Sequence, residues 1–251
     1  MFATTTIRPQ ATMKKFIRKI LNKLGFDVHR LSVVADPNLQ LLASMHQKEI
    51  DIVFDIGANT GQFATEIRSK GFQGEIISFE PLTSARRSLL NKAERDSKWL
   101  VHEQAAIGDQ NGEIEINISG NSVSSSVFPM LEAHSSAAID SIYVGKEVVP
   151  IVRLDSISHQ YLHSESKLFI KIDAQGFEWQ VLNGAVETLK RVQGVLCELS
   201  LVPLYEGQHL WLEVIDRLEA SGFTLWAIQK GFTDPRNGRS LQVDAIFLKV
   251  G

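Results

Sequence analysis

Cysteine is almost missing from this sequence. Cys197 is the one thiol in 251 residues, so no intrachain disulfide forms, and no C-x-x-C or Cys/His cluster offers a zinc site. Its place inside "GVLCELS" reads as a buried strand thiol. Long apolar runs are absent too, and none approaches the roughly 18 residues of a membrane-crossing helix. Positive charge is not in excess: a net of −3 gives no general attraction for nucleic acid, which calls for a basic patch or domain. What remains is the composition of a soluble, cytoplasmic globular protein, long enough for one α/β domain with a sizeable core.

A local absence adds to this. Residues 1–26 contain no Asp or Glu but carry Arg8, Lys14, Lys15, Arg18, Lys19 and Lys23. These cations interrupt any signal-peptide core. Met13, Phe16, Ile17, Ile20, Leu21 and Leu24 recur at helical spacing, so residues 13–24 read as a basic amphipathic helix ended by Gly25. It either packs on the domain or serves as a peripheral contact with a protein or with the inner face of an anionic membrane. Residues 1–49 form an N-terminal extension on this reading, and residues 50–251 the main domain.

From residue 50 strands and helices alternate. "IDIVFD" (50–55), "EIISFE" (75–80) and "WLVHEQA" (99–105) are β-rich runs separated by helical stretches near 61–70 and 82–96. A second series follows: "LFIKID" (168–173), a helix near 177–192, "GVLCEL" (194–199), a helix near 210–221, then "TLWAIQ" (224–229) and "VDAIFLKV" (243–250). Alternation of this kind predicts a doubly wound, mostly parallel sheet. The glycine, proline and asparagine of "GFTDPRNGR" make the last two strands an antiparallel hairpin. Residues 106–153 break the pattern, with a strand in "GEIEINI" and a polar "NSVSSS", and read as an insertion or lid.

The first strand ends in "FDIGANTGQF". In an open parallel sheet the carboxyl ends of the strands form a ligand crevice. Asp55 stands at that edge, Gly57 and Gly61 remove side chains where a ligand meets backbone, and Asn59 and Thr60 cap or donate. Glu80 ends the next strand, where an acid accepts hydrogen bonds from a ribose diol. The turn lacks the middle glycine of G-x-G-x-x-G, which a dinucleotide pyrophosphate requires. An acid at the mouth suits an ammonium group, and S-adenosylmethionine satisfies both carboxylates.

With these residues in view, the sequence resembles the FkbM-type methyltransferases, a Rossmann-like class I branch that uses S-adenosylmethionine. The resemblance runs over about residues 50–250. It is carried by "VFDIGANTGQF", "SFEP", "QAAIGDQNGEIEI", "SSS" (124–126), "LDSI", "IKIDAQGFEWQVLNGA", "LVPLYEGQ" and "LQVDAIFLK". It implies a seven-stranded sheet ordered 3-2-1-4-5-7-6 with strand 7 antiparallel, and O-methylation of a hydroxyl on a sugar, glycan or secondary metabolite. Carried over by position, Asp55, Gly57, Asn59 and Gly61 hold the methionine end and Glu80 the ribose. Gln104 and Ala105, within "EQAA", border the adenine, and Ser124–Ser126 close over the site. "DAQGFE" departs from the acidic "D-x-E-G-x-E" form at Gln175.

Methyl transfer to an alcohol benefits from a general base, and Asp173, at the end of "LFIKID", is best placed. Lys171 shares its strand face and is a candidate ion-pair partner. Asp173 and Glu198 also permit a magnesium-assisted variant. His134 and His209 are weaker candidate bases, and Trp179, Trp211 and Trp226 read as core residues. Two other classes compete: a nicotinamide-dependent oxidoreductase, disfavoured by the missing glycine and the absence of Tyr-x-x-x-Lys, and a non-catalytic module that binds S-adenosylmethionine or a partner.

Overall fold

The structure is a computed structural model that describes residues 9–26 and 32–250. Helix α1 (Pro9–Lys23) matches the predicted basic segment. It stops where Gly25 turns left-handed (φ 83°), with Gly25 N–H donating to the Asn22 carbonyl and Phe26 N–H to that of Leu21. That paired geometry satisfies the last carbonyls of the helix. Helix α2 (Pro37–Gln47) starts on Asp36, whose Oδ1 accepts the N–H groups of Asn38 and Leu39 at 2.9 and 3.1 Å. It falls within the predicted extension, yet its Leu41, Leu42 and Met45 pack into a core shared with Val53, Phe169 and Ile246.

The elements that follow are β1 (Ile52–Ile56), α3 (Gln62–Ser69), β2 (Glu75–Phe79), α4 (Thr83–Ala93), β3 (Trp99–Val101), β4 (Ala106–Ile107) and β5 (Gly112–Ser119). Next come α5 (Glu132–Ser135), β6 (Tyr143–Val152), α6 (Leu154–Ile157), β7 (Leu168–Ile172), α7 (Glu178–Asn183) and α8 (Val186–Leu189). The chain closes with β8 (Val192–Ser200), α9 (Trp211–Ala220), β9 (Phe223–Lys230) and β10 (Gln242–Lys249). The main sheet runs β3-β2-β1-β7-β8-β10-β9. The first five strands pair in parallel, and β10 is antiparallel to both neighbours. This is the predicted 3-2-1-4-5-7-6 order with a terminal hairpin.

Strands β1 and β7 are buried throughout, as central parallel strands covered on both faces must be. One core lies on the side of α7, α8 and α9, around Phe54, Ile170 and Phe247, and the other on the side of α2 and α3. The strand order reverses between β1 and β7, which is where an open sheet opens a crevice at its carboxyl edge.

Three differences from the sequence reading stand out. The insertion holds a three-stranded sheet, β4-β6-β5, rather than one strand. The predicted helix near 177–192 is two segments, because the Asp155 carboxylate accepts the N–H groups of Glu187 and Thr188 at 3.2 and 2.8 Å and so starts α8 afresh. Trp226, expected in the core, lies on an exposed surface.

Candidate active site

A cavity of about 460 Å³ opens at the carboxyl ends of β1 and β7, within the range of small-molecule sites. Its floor is the turn after β1, its sides Glu80, Ala105–Ile107 and Asp173–Gln175, and its roof residues of the insertion from Ser122 to Val127. Of the predicted "SSS" closure, Ser125 and Ser126 line the cavity while Ser124 is buried behind it. Pro37 and Asn38 of α2, with Gln229, Lys230 and Asp244 of the terminal hairpin, complete the far end.

The glycine turn works differently from the prediction. A Cβ on Gly57 would lie 1.8 Å from the Asp173 carbonyl oxygen, so this glycine lets the β7 turn approach while still lining the cavity. Gly61 does not line the cavity; its missing side chain makes room for Trp99 and Leu89 in the core. Every N–H from Gly57 to Gly61 is already used within the chain. Gly57 and Ala58 donate to the Phe79 carbonyl, and Gly61 to that of Ala58. Asn59 N–H donates to Glu80 Oε2 and Thr60 N–H to Asn59 Oδ1. No array of free N–H groups is left for a pyrophosphate, in contrast to a dinucleotide turn. Asn59, left-handed at φ 47°, also donates its side-chain amide to the Ser122 carbonyl at 3.1 Å and so joins the turn to the roof.

Asp55 requires a further correction. It is fully buried and lies behind the cavity wall. Its Oδ2 accepts from Ser78 Oγ at 3.2 Å, and the ammonium near its Oδ1, at 3.4 Å, belongs to Lys171. Burial pushes its carboxyl above the usual aspartate range, against the pull of Lys171. The sequence reading missed this pairing, although its signal is present: Asp55 and Lys171 are charged interruptions of two buried strands, and they stand in register.

Glu80 does line the cavity. Its Oε2 accepts Asn59 N–H at 2.8 Å and its Oε1 accepts Leu82 N–H at 2.9 Å, which leaves a lone pair on each oxygen for a diol. Burial pushes its carboxyl up to about 7. Ala105 borders the same wall, beside an apolar slot formed by Leu82, Ala106, Ile116 and Phe177 that suits a flat ring. Gln104 does not line the cavity. Its amide turns outward to the Pro81 carbonyl, Thr83 Oγ1 and Glu147 Oε1, at 2.7, 3.0 and 3.0 Å.

Asp173 stands on the cavity wall with about a third of its side chain exposed (37%). Its Oδ2 lies 3.4 Å from Lys171 Nζ and its Oδ1 accepts from Gln175 Nε2 at 2.8 Å. Gln175, at φ 50°, is the junction of this edge. Its Nε2 also donates to Glu198 Oε2 at 2.9 Å, while its Oε1 accepts from the Tyr205 hydroxyl at 2.7 Å. Glu178, predicted as a helix-start acid, braces the turn by accepting the N–H groups of Ala174 and Gly176 at 3.0 and 3.1 Å. Burial raises Glu178 to about 7 and Glu198 well above its usual range, the latter with further push from Asp173.

The donor set does not fit magnesium. Between Asp173 and Glu198, where a shared cation would sit, Gln175 places an NH₂ donor. Among the described residues no three His, Cys, Asp or Glu side chains converge as ligands. His134 is buried in the insertion, with Nε2 3.1 Å from Ser124 Oγ, and burial pulls it down to about 4. His209 stacks on Trp179 at 4.0 Å and pairs with Glu213. Neither histidine lines the cavity.

The topology and the crevice at the β1–β7 reversal are those of the Rossmann-like class I methyltransferase fold. The methyltransferase FkbM domain model matches residues 55–225, and the chain belongs to that family of S-adenosylmethionine-dependent methyltransferases. It is 28% identical over 184 residues to the 2-O-methyltransferase NoeI of Sinorhizobium fredii (strain NBRC 101917 / NGR234), covering 70% of this chain and 74% of NoeI. Similar solved structures include Aeropyrum pernix fibrillarin with natively bound S-adenosyl-L-methionine, at 13% identity and TM-score 0.43 over 82% of this chain and 74% of that one. An rRNA methylase from Streptococcus thermophilus matches at 9% identity and TM-score 0.45, over 89% of this chain and all of that one.

Proposed function

We propose that the protein is an O-methyltransferase that methylates a hydroxyl of a sugar, glycan or secondary metabolite. The observation that carries this reading is Asp173, a partly exposed carboxylate fixed by Lys171 and Gln175 at the cavity wall. The 2-O specificity in the name of NoeI agrees with it. S-adenosylmethionine supplies an electrophilic methyl group on a sulfonium. In this reading Glu80 accepts the ribose hydroxyls, Ala105 borders the base, and Gly57 and Asn59 face the methionine end. Asp55 and Gly61 support that end from behind.

Asp173 orients the acceptor hydroxyl and takes its proton as the oxygen is methylated. Lys171 and Gln175 hold the carboxylate without consuming its last lone pairs. The insertion roof from Ser122 to Val127 covers the cavity, and alignment of the reacting groups supplies much of the acceleration. The protein works in the cytoplasm on this reading.

The test is Asp173→Asn, which keeps the shape and loses the base. Turnover of a methyl acceptor should fall about 10²-fold or more while S-adenosylmethionine binding and the melting temperature hold. Near-normal turnover at saturation, with lower stability and cofactor affinity, would make Asp173 structural.

A further inference from the structure

We infer that α1 and the turn before α2 dock on an anionic lipid surface. The helix leaves an apolar stripe uncovered: Met13, Phe16, Ile17, Ile20 and Leu24 are all exposed, Phe16 by 64%. Val33 and Val34 add a second apolar prominence, with Val34 97% exposed. Isolated exposed apolar residues are ordinary, but a stripe at helical spacing is not.

Charge selects the occupant. The six cations of residues 1–26 stand against a net of −3 for the chain, so the other 225 residues carry −9. An anionic bilayer therefore attracts this segment and repels the rest. A basic polar surface opposite a Met, Phe, Ile and Leu stripe is the composition of a helix lying in the headgroup plane. Such a helix is about 10–12 Å across, so cations on its far side remain within about one Debye length of the surface at 0.1 M salt. Among the described residues no helix is long and apolar enough to cross the membrane. Docking here also orients the catalytic crevice. Val34 precedes Pro37, at the far end of the cavity, by three positions, so that end of the cavity lies within about 10 Å of a docked Val34.

Sedimentation of the full chain with phosphatidylcholine vesicles, with and without phosphatidylglycerol, tests this. The wild type should bind the phosphatidylglycerol vesicles about tenfold or more tightly than phosphatidylcholine alone, and high salt should weaken that binding. Replacing Lys14, Lys15, Arg18 and Lys19 with glutamine should reduce it about tenfold or more, as should Phe16→Ser with Ile20→Ser. Calorimetry with S-adenosylhomocysteine should give unchanged affinity for both variants, showing an intact domain. Wild-type protein left in the supernatant, a glutamine variant that binds as well as wild type, or helix-dependent dimerisation without vesicle binding would overturn the inference.

Discussion

Lys171 and Asp55 face each other in register on adjacent central strands, 3.4 Å apart and buried. The ammonium also donates to the Gly57 carbonyl at 2.9 Å and lies 3.4 Å from Asp173. It thus joins the glycine turn to the proposed base. Burial works against its charge, but Asp173 and Asp55 hold it above the usual lysine range.

Removing one partner strands the other. Lys171→Met should destabilise the fold by about 3–5 kcal/mol in urea denaturation, because Asp55 is left buried and uncompensated. Adding Asp55→Asn should recover part of that loss. A double variant no more stable than Lys171→Met would show that the pair is not coupled.

Glu80→Ala removes the acceptors proposed for a ribose diol and also the partner of two backbone N–H groups. S-adenosylhomocysteine affinity should weaken by about 1–3 kcal/mol. Since the free carboxyl sits near 7, wild-type affinity should also fall as pH drops from 8 to 6 and the acceptor is protonated. Calorimetry at both values checks this, and unchanged affinity in a folded variant would remove Glu80 from the ribose site.

The sheet was legible because central parallel strands need apolar runs, and "IVF" and "LFI" supply them despite the charges that follow. Glu80 and Asp173 were legible because residues at strand carboxyl ends meet the crevice. Which chain atoms fill the glycine turn was not legible: only the fold brings the Asp173 carbonyl onto Gly57 and Trp99 onto Gly61. The same holds for Gln104, one residue from the wall, whose side chain is drawn away by Glu147. The Tyr205 hydroxyl meets Ser124 and Gln175 across 81 and 30 residues of chain, separations that local periodicity cannot register. The middle position of "DAQG" acquires a reason only in place, since a neutral amide there donates to both Asp173 and Glu198.

The two glycines of the turn should fail differently. Alanine at Gly57 meets fixed backbone at 1.8 Å and φ 72°, and should cost stability by more than about 4 kcal/mol or prevent folding. Alanine at Gly61 carries the same left-handed strain (φ 83°) but meets the side chains of Trp99 and Leu89 at 2.8–2.9 Å rather than backbone, so a smaller loss of about 2–4 kcal/mol is expected. Equal losses in urea denaturation would contradict the assignment of Gly57 to a backbone crossing.

Glu178 sets a pH dependence in which stability falls as pH rises. Its carboxyl, ordinarily near 4.5, is pushed up to about 7, chiefly by burial and further by Asp173, against the donation of nearby backbone N–H groups. Below 4.5 it is protonated folded or unfolded and contributes no difference. Between 4.5 and 7 the folded state keeps a proton that the unfolded state has released, so stability falls as pH rises and levels off above 7. The full difference is about 3 kcal/mol. Glu178→Gln keeps a carbonyl oxygen for the Ala174 and Gly176 N–H groups but cannot ionise. Relative to wild type, the variant should therefore gain about 2–3 kcal/mol between pH 5 and pH 8 in denaturant titrations. His134, buried and pulled down to about 4, acts in the opposite direction between its folded value and its ordinary 6.5, but it is common to both proteins and cancels in the comparison; Glu198, which Glu178 helps push up, ionises more easily in the variant and so adds to the gain. Parallel pH profiles for variant and wild type would show that Glu178 is ionised as easily in the fold as in water.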